Sequence, residues 1–225
     1  MDVATMNFVR ANTKIPVPRP CLQFRWLSFR YLIMERVSGT DLSNVWPFIS
    51  TEERADIARQ LKVYFDDLRS IPPPASPAIC SVLGGPFVCA RLHRLLEWCG
   101  PYRDQAHLNF QIRFGRPLEQ FDSAIQKVHS TVYPLVFTHN DFAVHNIMVQ
   151  HLDEGWKVTG IIDWECAAWL PSYWEYTKSY NWASRGSLDS ERSWREWLPE
   201  ILEPFEEERQ VDRKVVPIPS IHCPE

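Results

Sequence analysis

The chain has 225 residues, a formal net charge of −4, and acids and bases interspersed along its length. That suffices for one globular unit with a real core, in two unequal lobes, and it excludes a basic stripe for nucleic acid or a cationic membrane surface. The opening M-D-V-A-T-M-N-F-V-R lacks the apolar stretch of a secretory leader and no run is long enough to cross a bilayer, so the default compartment is the cytoplasm. The six cysteines are scattered without a C-x-x-C pair and read as reduced, buried thiols of an intracellular protein.

Asp2 to Ala11 is expected to be a short helix, with Val3, Met6 and Val9 on one side. I-P-V-P-R-P ends it, because proline has no N–H to continue the ladder. Cys21–Trp26 and Phe29–Met34 read as two strands across Leu27-Ser28, with Tyr31–Met34 a buried strand. Ser50-Thr51-Glu52-Glu53 is a capping box opening a helix to Arg69, whose stripe of Ile57, Leu61, Tyr64, Phe65 and Leu68 is core. Ala75 to Tyr102 is loop-like, and Gly84-Gly85-Pro86 is a plain turn, since no strand precedes it and no lysine-bearing phosphate loop follows. Asp104–Phe114 and Pro117–Val132 read as helices, and Ser190–Gln210 as a charged helix interrupted by Pro199. Val215–Glu225, with three prolines and no periodicity, reads as a poorly ordered tail.

The chemistry concentrates in T-H-N-D-F-A-V-H-N-I-M-V, Thr138 to Val149, followed by I-I-D-W-E, Ile161 to Glu165. Asp141 is placed to accept a proton from a hydroxyl nucleophile, and Asn146 and Asp163 can offer hard oxygens to Mg²⁺. Ile147–Leu152 and Trp156–Ile162 are β-rich runs around Asp153-Glu154-Gly155. With Glu154-Gly155 as the hairpin loop, Asp153 faces Trp156 and the antiparallel register puts Asn146 opposite Asp163. A lone H-x-D is common in loops; the whole set in this order, with the register agreeing, is not.

H-x-D-x-x-x-x-N followed by I-D-W resembles the catalytic and metal motifs of the aminoglycoside phosphotransferase and choline kinase family. The resemblance implies an α+β, protein-kinase-like fold: a mostly helical large lobe with a catalytic β-hairpin, and a truncated small lobe. It implies ATP and Mg²⁺ as cofactors and a small-molecule hydroxyl as acceptor. It assigns Asp141 as catalytic base, His139 as supporting histidine, and Asn146 and Asp163 as metal ligands that also hold the nucleotide. Asn140 departs from the glycine usual between the His and the Asp. F-V-R-A-N-T-K-I-P-V-P-R-P and Y-L-I-M-E-R-V-S-G-T-D-L are similar to the end of the small lobe and the hinge of fungal-type members, which places adenine against the backbone of Glu35 and Val37. W-L-P-S-Y-W-E-Y is similar to the family's segment after the metal Asp, with Glu175 bracing the catalytic loop.

The same resemblance divides the chain into a small-lobe remnant and hinge at 1–36, a large lobe at 37–210 and a tail at 211–225. No glycine occurs before Gly39 and no lysine before Lys14, so the Gly-rich turn and strand lysine of a kinase-like small lobe are not in the sequence, and weak nucleotide binding with impaired transfer is the expectation for the chain as given. Asp2 falls near the family's helix Glu. The chain is therefore expected to begin within the small lobe, as a truncated product, a misassigned start or a degenerate homologue. Trp169, Tyr173, Trp174, Tyr176 and Trp182 could wall a cationic substrate, although aromatics more often serve burial. Two other readings compete with the kinase. One is a non-catalytic kinase-like binding or regulatory protein. The other is a metal-dependent hydrolase with His139, Asp141, His145 and Asp163 as ligands, which leaves Asn146 idle.

Overall fold

The computed structural model describes residues 2–75, 78–92, 98–181 and 188–216. The chain opens with helix α1 (Asp2–Asn12) and an antiparallel hairpin, β1 (Pro20–Trp26) and β2 (Phe29–Met34), close to the predicted bounds. The expected burial of Tyr31–Met34 is overturned: Tyr31, Ile33 and Met34 are exposed, as are Leu22, Phe24, Trp26 and Phe29. These are strand-forming residues in a sheet of only two strands, of which Leu32 alone in β2 packs against the main core.

After the hairpin, β3 (Thr40–Asp41) joins a three-stranded sheet with β7 (Ile147–Leu152) and β8 (Gly155–Ile161), in the order β3-β7-β8. The close approach of β3 depends on Gly39, at φ +100°, where a Cβ would lie 2.1 Å from the Val149 carbonyl oxygen. Helix α2 (Leu42–Val45) follows, and α3 (Thr51–Ser70) starts at the predicted capping box. Ser50 Oγ accepts from the Glu53 N–H at 3.2 Å, and Glu53 Oε2 accepts from the Ser50 N–H at 2.8 Å. The buried face of α3, built on Ile57, Leu61, Phe65 and Leu68, belongs to the core cluster that also contains Ile147, Val149, Val158 and Ile161.

The loop-like stretch after α3 carries one short strand pair, β4 (Phe87–Val88) with β5 (Trp98–Cys99). Helix α4 (Gln105–Ile112) is capped by Asp104, whose carboxylate accepts from the His107 N–H at 2.8 Å. The single helix expected over 117–132 is instead a 3₁₀ turn (Leu118–Gln120) and α5 (Ser123–Ser130), because Asp122 caps the second piece by accepting from the Ile125 N–H at 3.0 Å. Strand β6 (Leu135–Thr138) pairs antiparallel with β9 (Ala168–Pro171). Together β6, β9 and the β7–β8 hairpin frame the loop from His139 to Asn146.

Helix α6 (Trp174–Asn181) packs under that loop, and α7 (Leu188–Arg195), α8 (Leu198–Ile201) and α9 (Glu206–Val215) complete the fold. Residues 211–215, assigned to the tail by sequence, are helical, and Val211, Asp212 and Val215 are buried. The remainder of the expected tail, 217–225, lies outside the described residues. Of the cysteines, Cys80, Cys89, Cys99 and Cys166 are free and buried as expected, whereas Cys21 is exposed. Among the described residues no helix is long and apolar enough to cross a membrane.

Candidate active site

The loop that follows β6 turns sharply at Asn140, which has φ +62°. Glycine and asparagine adopt this left-handed conformation most readily, which accounts for the Asn at this point of the motif. The Asn140 side chain is fully buried and saturated. Its Nδ2 donates to the carbonyls of Val88 (3.2 Å) and Cys166 (2.8 Å), and its Oδ1 accepts from Trp174 Nε1 (2.9 Å) and the Cys89 thiol (3.4 Å). A glycine would leave those groups without these bonds.

His139 is also fully buried. Its Nε2–H donates to the Ile162 carbonyl at 2.8 Å and its Nδ1 accepts from the Asp141 N–H at 3.2 Å, so both ring nitrogens are committed. Its ring lies 4.5 Å from that of Trp164. Burial pushes the imidazole down to about 4, so it is neutral at physiological pH. His139 thus ties the start of the loop to the end of β8 and orients the backbone of Asp141.

Glu175, on the first turn of α6, reaches the same backbone from below. Its carboxylate accepts from the N–H of His139 (2.6 Å) and of Asn140 (3.0 and 3.2 Å). Burial raises its proton affinity, and the two amides and neighbouring cations oppose that rise. The bracing role expected for Glu175 matches this geometry.

The Asp141 carboxylate, 42% exposed, lies 3.5 Å from the ammonium of Lys178. Burial, the largest single influence, would raise this carboxyl; the basic groups around it, Lys178 foremost, together outweigh burial and hold Asp141 below the ordinary carboxylate range. Asn146 is buried, and its Nδ2 donates to the Asp141 carbonyl at 2.9 Å and approaches Asp141 Oδ2 at 3.4 Å. That orientation turns Asn146 Oδ1 away from Asp141, and among the described residues no donor reaches it.

The hairpin register differs from the expected one. The turn is Asp153-Glu154, with Leu152 opposite Gly155 and Gly155 at φ +107°. A bulge then skips Thr159 between the pairs Val149–Val158 and Met148–Gly160. The Ile162 N–H consequently donates to the Asn146 carbonyl at 3.0 Å, so Asn146 faces Ile162 and not Asp163. Asp163 is the next residue, exposed, in the left-handed conformation at φ +66°. The structure therefore gathers Asp141, Asn146 and His139, and places Asp163 one residue beyond Asn146's partner.

A profile described as the phosphotransferase enzyme family, APH, matches residues 2–213. The chain belongs to this family. Its kinase-like fold is shared with the GDP complex of a mutant aminoglycoside 2'-phosphotransferase IIIa, at a TM-score of 0.53 and 15% identity, over 95% of this chain and 68% of the other. It is shared equally with a GDP and kanamycin complex of APH(2")-IIIa, at 0.53 and 15%, over 94% and 71% of the two chains. Subtelomeric hrmA-associated cluster proteins from two strains of Aspergillus fumigatus are 39% identical over 64 residues, 27% of this chain. The match spans only 13% of the length of those curated relatives.

Within this APH-family chain the other expected site residues fall as follows. The Glu35 N–H donates to the Arg19 carbonyl at 2.9 Å, while the Val37 N–H has no partner among the described residues. Val37 rests on Gly160, where a Cβ would come within 2.7 Å of its Cγ1, so this segment is seated on the β7–β8 hairpin. Glu35 and Val37 line a cavity of about 460 Å³ with Arg10, Tyr64 and Val158; it does not include Asp141, Asn146 or Asp163. The hydrolase constellation is not formed: no group of three or more His, Cys, Asp or Glu able to hold a metal occurs among the described residues, and His139 has no nitrogen to spare. Trp169, Tyr173, Trp174 and Tyr176 are buried in the core and form no wall; Trp182 lies outside the described residues.

Lys178 was not singled out by sequence. The available signal was its position one helical turn after Glu175, on the same face of α6.

One expected result concerns acid stability. His129 is buried, accepts from Arg113 through Nδ1 (2.8 Å), and is pushed down to about 4 by burial and by Arg113. A depressed imidazole contributes stability above its unfolded value of about 6.5 that is lost as pH falls toward 4. Glu175 and Asp212, both raised by burial, act in the opposite sense. Comparing wild type with His129→Gln by urea unfolding isolates the histidine: wild type should lose about 2 kcal/mol relative to the variant between pH 7 and pH 5. An unchanged difference would show that His129 is solvated.

Proposed function

We propose that the chain transfers the terminal phosphoryl group of ATP, with Mg²⁺, to a hydroxyl of a small molecule. The observation that carries this reading is the joining of Asp141 to Asn146 in a loop locked by His139 and Glu175, with Asp163 at the adjoining strand end. Asn146 Oδ1 and the Asp163 carboxylate are hard oxygens suited to Mg²⁺, which when bound would neutralise phosphate charge. Asp141 orients the acceptor hydroxyl and takes its proton as the oxygen bonds to phosphorus; the bond to the bridging oxygen breaks and ADP leaves. The Glu35–Val37 backbone receives the base of the nucleotide. We place the reaction in the cytoplasm, in keeping with the free cysteines.

Calorimetry with ATP and with GTP, each with and without Mg²⁺, followed by phosphate-transfer assays over a panel of aminoglycoside, choline-like and sugar acceptors, tests the proposal. GTP is included because the two solved relatives hold GDP. Mg²⁺-dependent nucleotide binding with transfer is the expected result. Nucleotide binding without transfer to any acceptor or to water would instead favour the non-catalytic binding module.

A further inference from the structure

Lys178 is buried, yet it carries a charge in a region that could be held together without one. Its ammonium donates to the Asn140 carbonyl and lies 3.5 Å from Asp141 Oδ1. Three residues earlier on α6, Glu175 accepts from the N–H of His139 and Asn140. One helix thus grips both polar sides of the Asn140 backbone, the amide with an anion and the carbonyl with a cation. The carbonyl alone would be satisfied by a neutral donor, and sequestering an ammonium costs several kcal/mol unless an anion compensates it. Among the described residues the carboxylate in ion-pair reach of that ammonium is the half-exposed Asp141, and Glu175 acts on it from farther away. The other Asp141 oxygen, Oδ2, has Asn146 Nδ2 at 3.4 Å, so each carboxylate oxygen has one protein partner.

We propose that Lys178 is a positioning residue for phosphoryl transfer: its charge fixes the Asp141 carboxylate in the orientation that meets the acceptor hydroxyl. This rests on the phosphotransferase reading above. A carboxylate held by two partners needs no reorientation when the acceptor arrives, and misplacement by an ångström can cost about 100-fold in rate.

Lys178→Met keeps the length and removes the charge; Lys178→Arg keeps the charge. In the full chain, Lys178→Met should lower kcat by about 10- to 100-fold while Mg-ATP affinity changes less than about twofold, and Lys178→Arg should recover most of the rate. A purely structural lysine would lower the melting temperature and nucleotide affinity along with the rate. Turnover of Lys178→Met within about twofold of wild type, or an arginine variant no better than the methionine one, would overturn the proposal. A second measurement does not need turnover. With ¹³C-labelled aspartate carboxyls at one neutral pH, the Asp141 signal, assigned by its loss in Asp141→Asn, should move in Lys178→Met and return toward the wild-type position in Lys178→Arg. An unmoved signal in a folded Lys178→Met protein refutes the contact even if wild type transfers phosphate to nothing, an outcome that would sink only the phosphotransferase reading.

Discussion

Asp163→Asn is expected to weaken Mg²⁺-dependent nucleotide binding by at least about tenfold and to abolish transfer with it, whereas Asp141→Asn should leave nucleotide affinity nearly intact and lose about 10²–10⁴-fold in turnover. The first substitution is conservative because Asp163 is exposed and left-handed, a conformation asparagine tolerates, so the backbone is kept while the charge is removed. The second is less so. Asp141 sits 3.5 Å from a buried lysine, and neutralising it leaves that charge poorly compensated. Unfolding curves must therefore accompany the kinetics of Asp141→Asn. The separation follows from where each charge acts: a metal ligand works on bound nucleotide throughout, while an acceptor-orienting carboxylate matters most in the transition state. Equal loss of Mg-ATP affinity in both variants would mean that the two acids share one metal site.

Glu175→Ala should be the most damaging single change to the architecture of the loop. It strands the buried N–H groups of His139 and Asn140 and leaves Lys178 without one of its compensating anions. Removing one member of such a buried charged set typically costs about 3–5 kcal/mol. Glu175→Gln should be milder, since its amide oxygen can still accept, although its NH₂ faces a second donor. Urea unfolding reads the difference directly; a cost below about 1 kcal/mol for the alanine variant would show that water or a rearranged backbone replaces the carboxylate.

Much of this arrangement was legible in the residue order. The capping box at Ser50 and the hairpin around Gly155 are local signals, and local signals survive folding. The register is off because the turn falls on Asp153-Glu154, one residue ahead of the glycine-based placement, and the bulge at Thr159, invisible to strict alternation, then recovers half of that offset. Thr159 Oγ1 donates to the Ser38 carbonyl at 2.6 Å, a distant contact that no local pattern announces. Tyr31–Met34 was misjudged because apolar alternation reports what a strand could bury, not whether a second layer exists to bury it. The apolar period over 117–132 runs through Asp122, whose preference for capping outweighs it and splits the helix. Lys178 carries no local sign of burial, because a lysine on a helix usually means solvent, and only the packing of α6 beneath the loop turns it inward.

Two indoles touch the loop from His139 to Asn146. Trp164 lies 4.5 Å from the His139 ring, and Trp174 donates its N–H to Asn140. Both are out of water, so each should emit at short wavelength, and His139 and Asn140 are the groups whose displacement would alter their quenching. The loop therefore carries its own optical probes among ten tryptophans: the part of an emission change on adding nucleotide or acceptor that is lost in Trp164→Phe or Trp174→Phe reports movement of this backbone with no label attached.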